Sequence, residues 1–138
     1  MKIGFIGLGN VGGKLAGSLL RNGFELHVRD LDRDAAKTLL DHGATWWDST
    51  GAMTREVDVV ITCLPSPQAS AAVMEEQDGI LENLSPGKIW AEMSTTDEAE
   101  VKRLGSLVLE KGGEPMDCPV SGGCHRAATG NISIFAGG

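Results

Sequence analysis

A doubly wound α/β domain, with a mostly parallel sheet covered by helices on both faces, is the fold this sequence predicts. Three observations carry that prediction. Strand-like apolar runs alternate with helical periodicity over the first 110 residues, which implies parallel strands joined by right-handed crossovers. A glycine-rich turn joins the first strand to the first helix. The chain has 138 residues, 41% of them hydrophobic and 22% charged, which suits one soluble globular domain spanning residues 1–138.

The elements follow in order. "KIGFI" at 2–6 reads as a short buried strand, after which Val11, Leu15, Leu19 and Leu20 recur at helical spacing until Gly23 stops the helix. "FELHV" at 24–28 is the second strand. Ala35, Ala36, Leu39 and Leu40 form the next helical stripe, with Asp32 or Asp34 as its cap and Gly43 at its end. "ATWW" at 44–47 is a weaker third strand. "VDVVITCL" at 57–64 has the continuous β-branched character of a strand buried on both faces, and Ser66 with Pro67 reads as an N-cap and first helical residue. "KIWAEM" at 88–93 is the next strand. Asp97 and Glu100 then have capping-box spacing, and Val101, Leu104 and Val108 share a helical face before Gly112 and Gly113. "EPMDCPV" and "ISIFAGG" supply two final strands or extended segments. No internal linker, low-complexity tract or short repeat interrupts this order.

The charge balance narrows the function. A net charge of −7, with twelve scattered lysines and arginines, disfavours nucleic acid as a partner. Cys63, Cys118 and Cys124 are odd in number and lack paired spacing, so thiols are expected rather than disulfides. Cys118, Cys124 and His125 do not have convincing metal-ligand spacing, and no metal is expected. Met1 leads straight into a strand pattern and no apolar run reaches membrane-spanning length, so the expectation is a cytoplasmic protein without a membrane partner.

The glycines carry the chemistry. Gly7, Gly9 and Gly12 form GxGxxG directly after a strand and at the opening of a helix, with Asp30 lying 23 residues beyond Gly7 at the end of the next strand. That is the context of a dinucleotide fingerprint. Gly7 permits the tight turn, Gly9 lets a pyrophosphate approach the backbone, and Gly12 allows close packing of helix on strand. The peptide segment Leu8, Gly9, Asn10, Val11 and Gly12 would receive the phosphates at the positive end of the helix. Asp30 is placed to accept hydrogen bonds from the adenosine ribose and to repel a 2′-phosphate, which favours NAD over NADP. Arg29 and Arg33 flank Asp30 and would partly offset that repulsion, so NADP stays open. Gly4, Gly13 and Gly17 read as close packing of helix and strand.

Four stretches, "GFIGLGNVGGKLAGSLLRNGF", "ITCLPSP", "EMSTTD" and "MDCPVSGGCHRAATGNISIFAGG", together resemble the β-hydroxyacid dehydrogenase family. Its members include 3-hydroxyisobutyrate dehydrogenases, tartronate semialdehyde reductases and, more distantly, 6-phosphogluconate dehydrogenases. The resemblance implies that Leu64 and Pro65 line the nicotinamide side of the cofactor and that Thr95 also lies against it. Both sit at carboxyl ends of expected parallel strands, where open α/β sheets bind ligands. It further implies that Ser121, Gly122 and Gly123 hold the substrate carboxylate, a role that a hydroxyl and two unobstructed amides suit. The sequence departs from the family at His125 and Arg126, where small residues are usual, which puts the particular substrate in doubt.

The family's catalytic lysine lies on a long helix that follows the nucleotide domain, and no lysine follows Ser121 here. The resemblance therefore implies no catalytic residue before Gly138, an amino-terminal half inactive alone, and a small hydroxy acid as substrate. In the full-length enzyme it implies a homo-oligomer. Two other readings compete: a stand-alone nucleotide-binding or regulatory module, and an S-adenosylmethionine-dependent methyltransferase. In the latter, "MSTTD" and "PVSGG" would have no obvious task.

Overall fold

The computed structural model describes residues 1–94, 97–118, 120–121 and 133–134, the last two pairs by their backbone. Six parallel strands build one sheet: β1 (Lys2–Ile6), β2 (Glu25–Arg29), β3 (Thr45–Trp46), β4 (Val59–Thr62), β5 (Ile89–Glu92) and β6 (Glu114–Asp117). Their spatial order is β3-β2-β1-β4-β5-β6. The chain thus runs outward from β1 to one edge, returns to the far side of β1, and runs outward again. The reversal beside β1 opens a crevice at the carboxyl ends of β1 and β4, the place where such sheets bind ligands.

Helix α1 (Asn10–Arg21), a 3-10 turn (Arg33–Ala36) and α2 (Lys37–Asp41) cover one face. Their core partners are Ile3, Phe5, Leu26, Val28, Ile61 and Ala91, contacted by Leu15, Ala16, Ala36 and Leu39. Helices α3 (Thr50–Glu56), α4 (Pro67–Glu75), α5 (Ile80–Asn83) and α6 (Glu98–Glu110) cover the other. There Ile6, Val60 and the fully buried Trp90 meet Met53, Met74, Ile80, Leu104 and Val108. Alternate residues of β1, β4 and β5 thus feed opposite cores, as strands covered on both faces require. Gly4 faces the second core, where an added Cβ would lie 3.0 Å from Met53 Cε and 3.1 Å from Val57 Cγ2.

The expected strands and principal helices are present, with shifts at their ends. The second strand is Glu25–Arg29 rather than 24–28, which leaves Phe24 40% exposed, and the fourth is confined to Val59–Thr62 within 57–64. Residues 63–64 turn away to make the crevice. Asp32 caps the 3-10 turn by accepting from the Asp34 amide at 3.0 Å. Asp97 caps α6, but the expected capping box is incomplete, because Glu100 pairs with Arg103 instead of reaching back. Helices α3 and α5 were not anticipated. A two-stranded antiparallel pair, β7 (Val120–Ser121) with β8 (Ser133–Ile134), forms a separate small sheet.

A dinucleotide-binding site at the start of the first helix

The three glycines of the fingerprint occupy three distinct environments. Gly7 has φ +98, and a Cβ there would lie 2.1 Å from the Cys63 carbonyl oxygen, so both conformation and space demand glycine. A Cβ on Gly12 would lie 1.9 Å from the Gly7 carbonyl oxygen, which locks the helix against the turn. A Cβ on Gly9 would meet nothing within 4 Å. The bare backbone of Gly9 therefore faces open space that no part of the fold needs, as expected where a pyrophosphate approaches the chain.

Gly9 is also the N-cap of α1 and provides no side-chain cap, and the first turn of the helix holds no acidic residue. The first amides of a helix have no intrahelical acceptor. Here they open on a cavity of about 600 Å³, lined among others by Gly7, Gly9, Asn10, Val11, Gly12 and Asp30. Leu8 has a different place: its side chain is buried, 4% exposed, in the first core, and its amide donates to Asp30 Oδ2 at 2.7 Å. Asp30 Oδ1 accepts from the Asp32 amide at 2.9 Å. Two backbone donors thus fix the carboxylate on the β2 lip of the cavity.

The two arginines expected to soften the charge of Asp30 are engaged elsewhere. Arg29 donates from Nε to Thr50 Oγ1 at 3.0 Å and from Nη1 to the Trp47 carbonyl at 3.2 Å. The Arg33 guanidinium stacks 5.7 Å from the centre of the Trp46 ring. The cavity lining next to Asp30 also includes the exposed Leu31, and the exposed carboxylates Asp32 and Asp34 follow in the chain. Arg29 lines the cavity beside Asp30, so its charge stays near the carboxylate while its donors are engaged by Thr50 and Trp47.

Across the cavity, Cys63, Leu64 and Pro65 follow β4 and line the opposite lip. Ala69, Ala72 and Val73 of α4 supply an apolar wall. Burial, reinforced by Glu92, pushes the Cys63 thiol up to about 11, so it is neutral at physiological pH. Burial also raises Cys118, with Asp117 adding to the effect. Among the described residues no His, Cys, Asp and Glu group is arranged to hold a metal ion. Thr95, Gly122, Gly123, Cys124, His125 and Arg126 lie outside the described residues, and Ser121 is seen only as backbone, paired with Ser133.

One part of the site was not legible in advance. Glu92, at the end of β5, is fully buried. Its Oε1 accepts from the Ser94 amide at 3.0 Å and from Thr62 Oγ1 at 3.1 Å, and Thr62 Oγ1 accepts from Trp90 Nε1 at 3.0 Å. Ser94 Oγ in turn accepts from the Leu64 amide at 2.6 Å. A carboxyl in mid-strand has no pattern that announces such a network; only the pairing of Thr62 with Glu92 brings it together.

Sheet order, glycine turn, uncapped helix start and acidic lip define the class: a dinucleotide-binding α/β domain. The model of the NAD binding domain of 6-phosphogluconate dehydrogenase matches residues 2–138, and the chain belongs to that family. It is 35% identical over 136 residues to the probable mitochondrial 3-hydroxyisobutyrate dehydrogenase of Dictyostelium discoideum, covering 99% of this chain and 42% of that protein. It is 35% identical over 137 residues to the NAD-dependent L-serine dehydrogenase of Pseudomonas aeruginosa, covering 99% of this chain and 46% of the other. The solved 3-hydroxyisobutyrate dehydrogenase of Mycobacterium tuberculosis with L-serine superimposes with a TM-score of 0.92 at 28% identity, over 99% of this chain and 46% of that one. The chain thus spans less than half the length of the proteins it resembles. No helix among the described residues is long and apolar enough to cross a membrane.

Proposed function

We propose that this chain is the cofactor-binding part of an NAD-dependent oxidoreductase that transfers hydride between a nicotinamide and a small β-hydroxy acid or its semialdehyde. The observation that carries the reading is the open backbone at Gly9, where an uncapped helix start faces a cavity whose other lip holds a fixed carboxylate. The residues fit the cofactor. The amides at the start of α1 would receive the diphosphate, Asp30 would accept from the adenosine ribose hydroxyls, and Leu64 and Pro65 would border the nicotinamide. The bound nicotinamide supplies the hydride chemistry, while the protein orients it and excludes water.

Preference for NAD over NADP follows from the charges at the β2 lip. A 2′-phosphate would meet the Asp30 carboxylate, while the donors of Arg29 on the same cavity wall are engaged by Thr50 and Trp47 and Arg33 rests on Trp46. The substrate class is supported by the dehydrogenase relatives and by the "SGG" segment, in which Ser121, Gly122 and Gly123 would hold the substrate carboxylate. Turnover requires an acid or base that we do not assign within this chain, and the lysine of the family resemblance would fill that role from another segment. The homo-oligomer of the complete enzyme belongs to the same proposal.

Calorimetric titration of the chain with NAD+ and NADP+ tests the reading. NAD+ is expected to bind about tenfold more tightly than NADP+, and Asp30→Asn is expected to narrow that ratio. Failure of both dinucleotides to bind at millimolar concentration would overturn it.

A further inference from the structure

The network beneath Leu64 has no part in the contacts proposed for the cofactor, yet it is a connected chain of buried groups in which two donors, the Ser94 amide and the Thr62 hydroxyl, converge on Glu92 Oε1. Strand pairing carries the β4–β5 ladder as far as the Met93 amide, which donates to the Thr62 carbonyl at 2.8 Å. Beyond that point the Leu64 amide has left the ladder, and Ser94 Oγ replaces the missing strand partner. Ser94 is 3% exposed and its own amide is held by Glu92 Oε1. The same oxygen accepts from the Thr62 hydroxyl, which itself accepts from the Trp90 indole. Thr62, Trp90 and Glu92 are fully buried, so none of these groups has water as an alternative partner.

The consequence lies in which half of the cofactor this loop meets. Diphosphate at the start of α1 and ribose at Asp30 direct the adenosine toward β2. The strand order then sends the other half toward β4 and β5, on the opposite side of β1. We infer that Glu92 and Ser94 are positioning residues for the nicotinamide half of the dinucleotide: Glu92 orients Ser94, and Ser94 holds the Leu64 amide and with it the lip of the cavity. This inference rests on the dinucleotide reading above and adds to it a division of labour. The β2 side grips the adenosine, and a buried carboxyl on β5 sets the other lip without touching the ligand.

Two probes separate the halves. NAD+ contains both, whereas ADP-ribose retains the diphosphate and adenosine but lacks nicotinamide. Each is titrated by calorimetry into the unaltered chain and into Ser94→Ala, Glu92→Gln and Glu92→Leu, with thermal unfolding recorded for every variant. Ser94→Ala and Glu92→Leu are expected to weaken NAD+ about fivefold while leaving ADP-ribose within about twofold. Glu92→Gln retains an oxygen acceptor at Oε1 and should keep NAD+ affinity close to the unaltered value. Equal weakening of both ligands, or no change in either with Ser94→Ala, would overturn the positioning role. Should Glu92→Leu fail to fold, Ser94→Ala decides alone. Absence of binding of both ligands to the unaltered chain would instead overturn the cofactor reading itself.

Discussion

Two helices begin on the same cavity and begin differently. Helix α4 opens with Ser66, whose Oγ accepts from the Ala69 amide at 3.1 Å, followed by Pro67, which has no amide to satisfy. Helix α1 opens with Gly9, which offers no side chain at all. Helix α4 is capped from within; α1 leaves its amides and its positive end for something that is not protein. Among the described helices of eight or more residues, α4 and α6 carry side-chain caps and α1 does not. The difference shows that a helix start becomes an anion seat by losing its own cap, and that glycine achieves this only where surrounding space is also left empty.

That contrast can be attacked at four points of decreasing effect. Gly12→Ala would force a Cβ to within 1.9 Å of the Gly7 carbonyl and is expected to cost about 3 kcal/mol of stability, read as a fall in the unfolding midpoint. Gly9→Val should leave the midpoint nearly unchanged, because open space receives the side chain. It should lower NAD+ affinity about a hundredfold, about 2.7 kcal/mol in a calorimetric titration. A valine variant that binds normally would break the comparison.

Ser66→Ala reverses the pattern. Losing the α4 cap should cost about 1 kcal/mol of stability in denaturant unfolding, with NAD+ affinity held within about twofold. The gentlest probe is Cys63, which sits between the two helix starts. With its thiol pushed up to about 11, raising the pH increases the reactive thiolate about tenfold per unit through the neutral range. Alkylation followed by peptide mass spectrometry should therefore keep accelerating to pH 10. A plateau near pH 8.5 would contradict the burial argument, and NAD+ should slow the labelling at every pH.

The sheet was readable because strands covered on both faces are short, apolar and separated by helical stripes, and the glycine triplet was readable because each glycine has a separate mechanical reason. What escaped was of another kind. Helix α3 buries Thr50, Gly51, Met53 and Thr54, a mixture with no amphipathic stripe, although Ser49 does cap it by accepting from the Ala52 amide. Helix α5 is four residues long, too short for periodicity to register. Glu92 looked like one more residue of a strand, because the partners that give it meaning come from Thr62 on the neighbouring strand and Ser94 in the following turn. Arg29 was legible as a charge near the cofactor but not as a side chain tied to Thr50 and Trp47. Local pattern reports backbone geometry well, whereas side-chain partners across the sheet follow from register.

The placement of the three indoles gives the molecule an optical use. Trp90, sealed from water and bonded to Thr62, adjoins the network under Leu64, while Trp46 and Trp47 stand on the β2 and β3 side beside Arg33 and His27. Emission from Trp90 alone, with the other two replaced by phenylalanine, would register events at one end of the crevice. The complementary variant would watch the other, so the arrival of each half of a ligand could be timed separately in a stopped-flow trace.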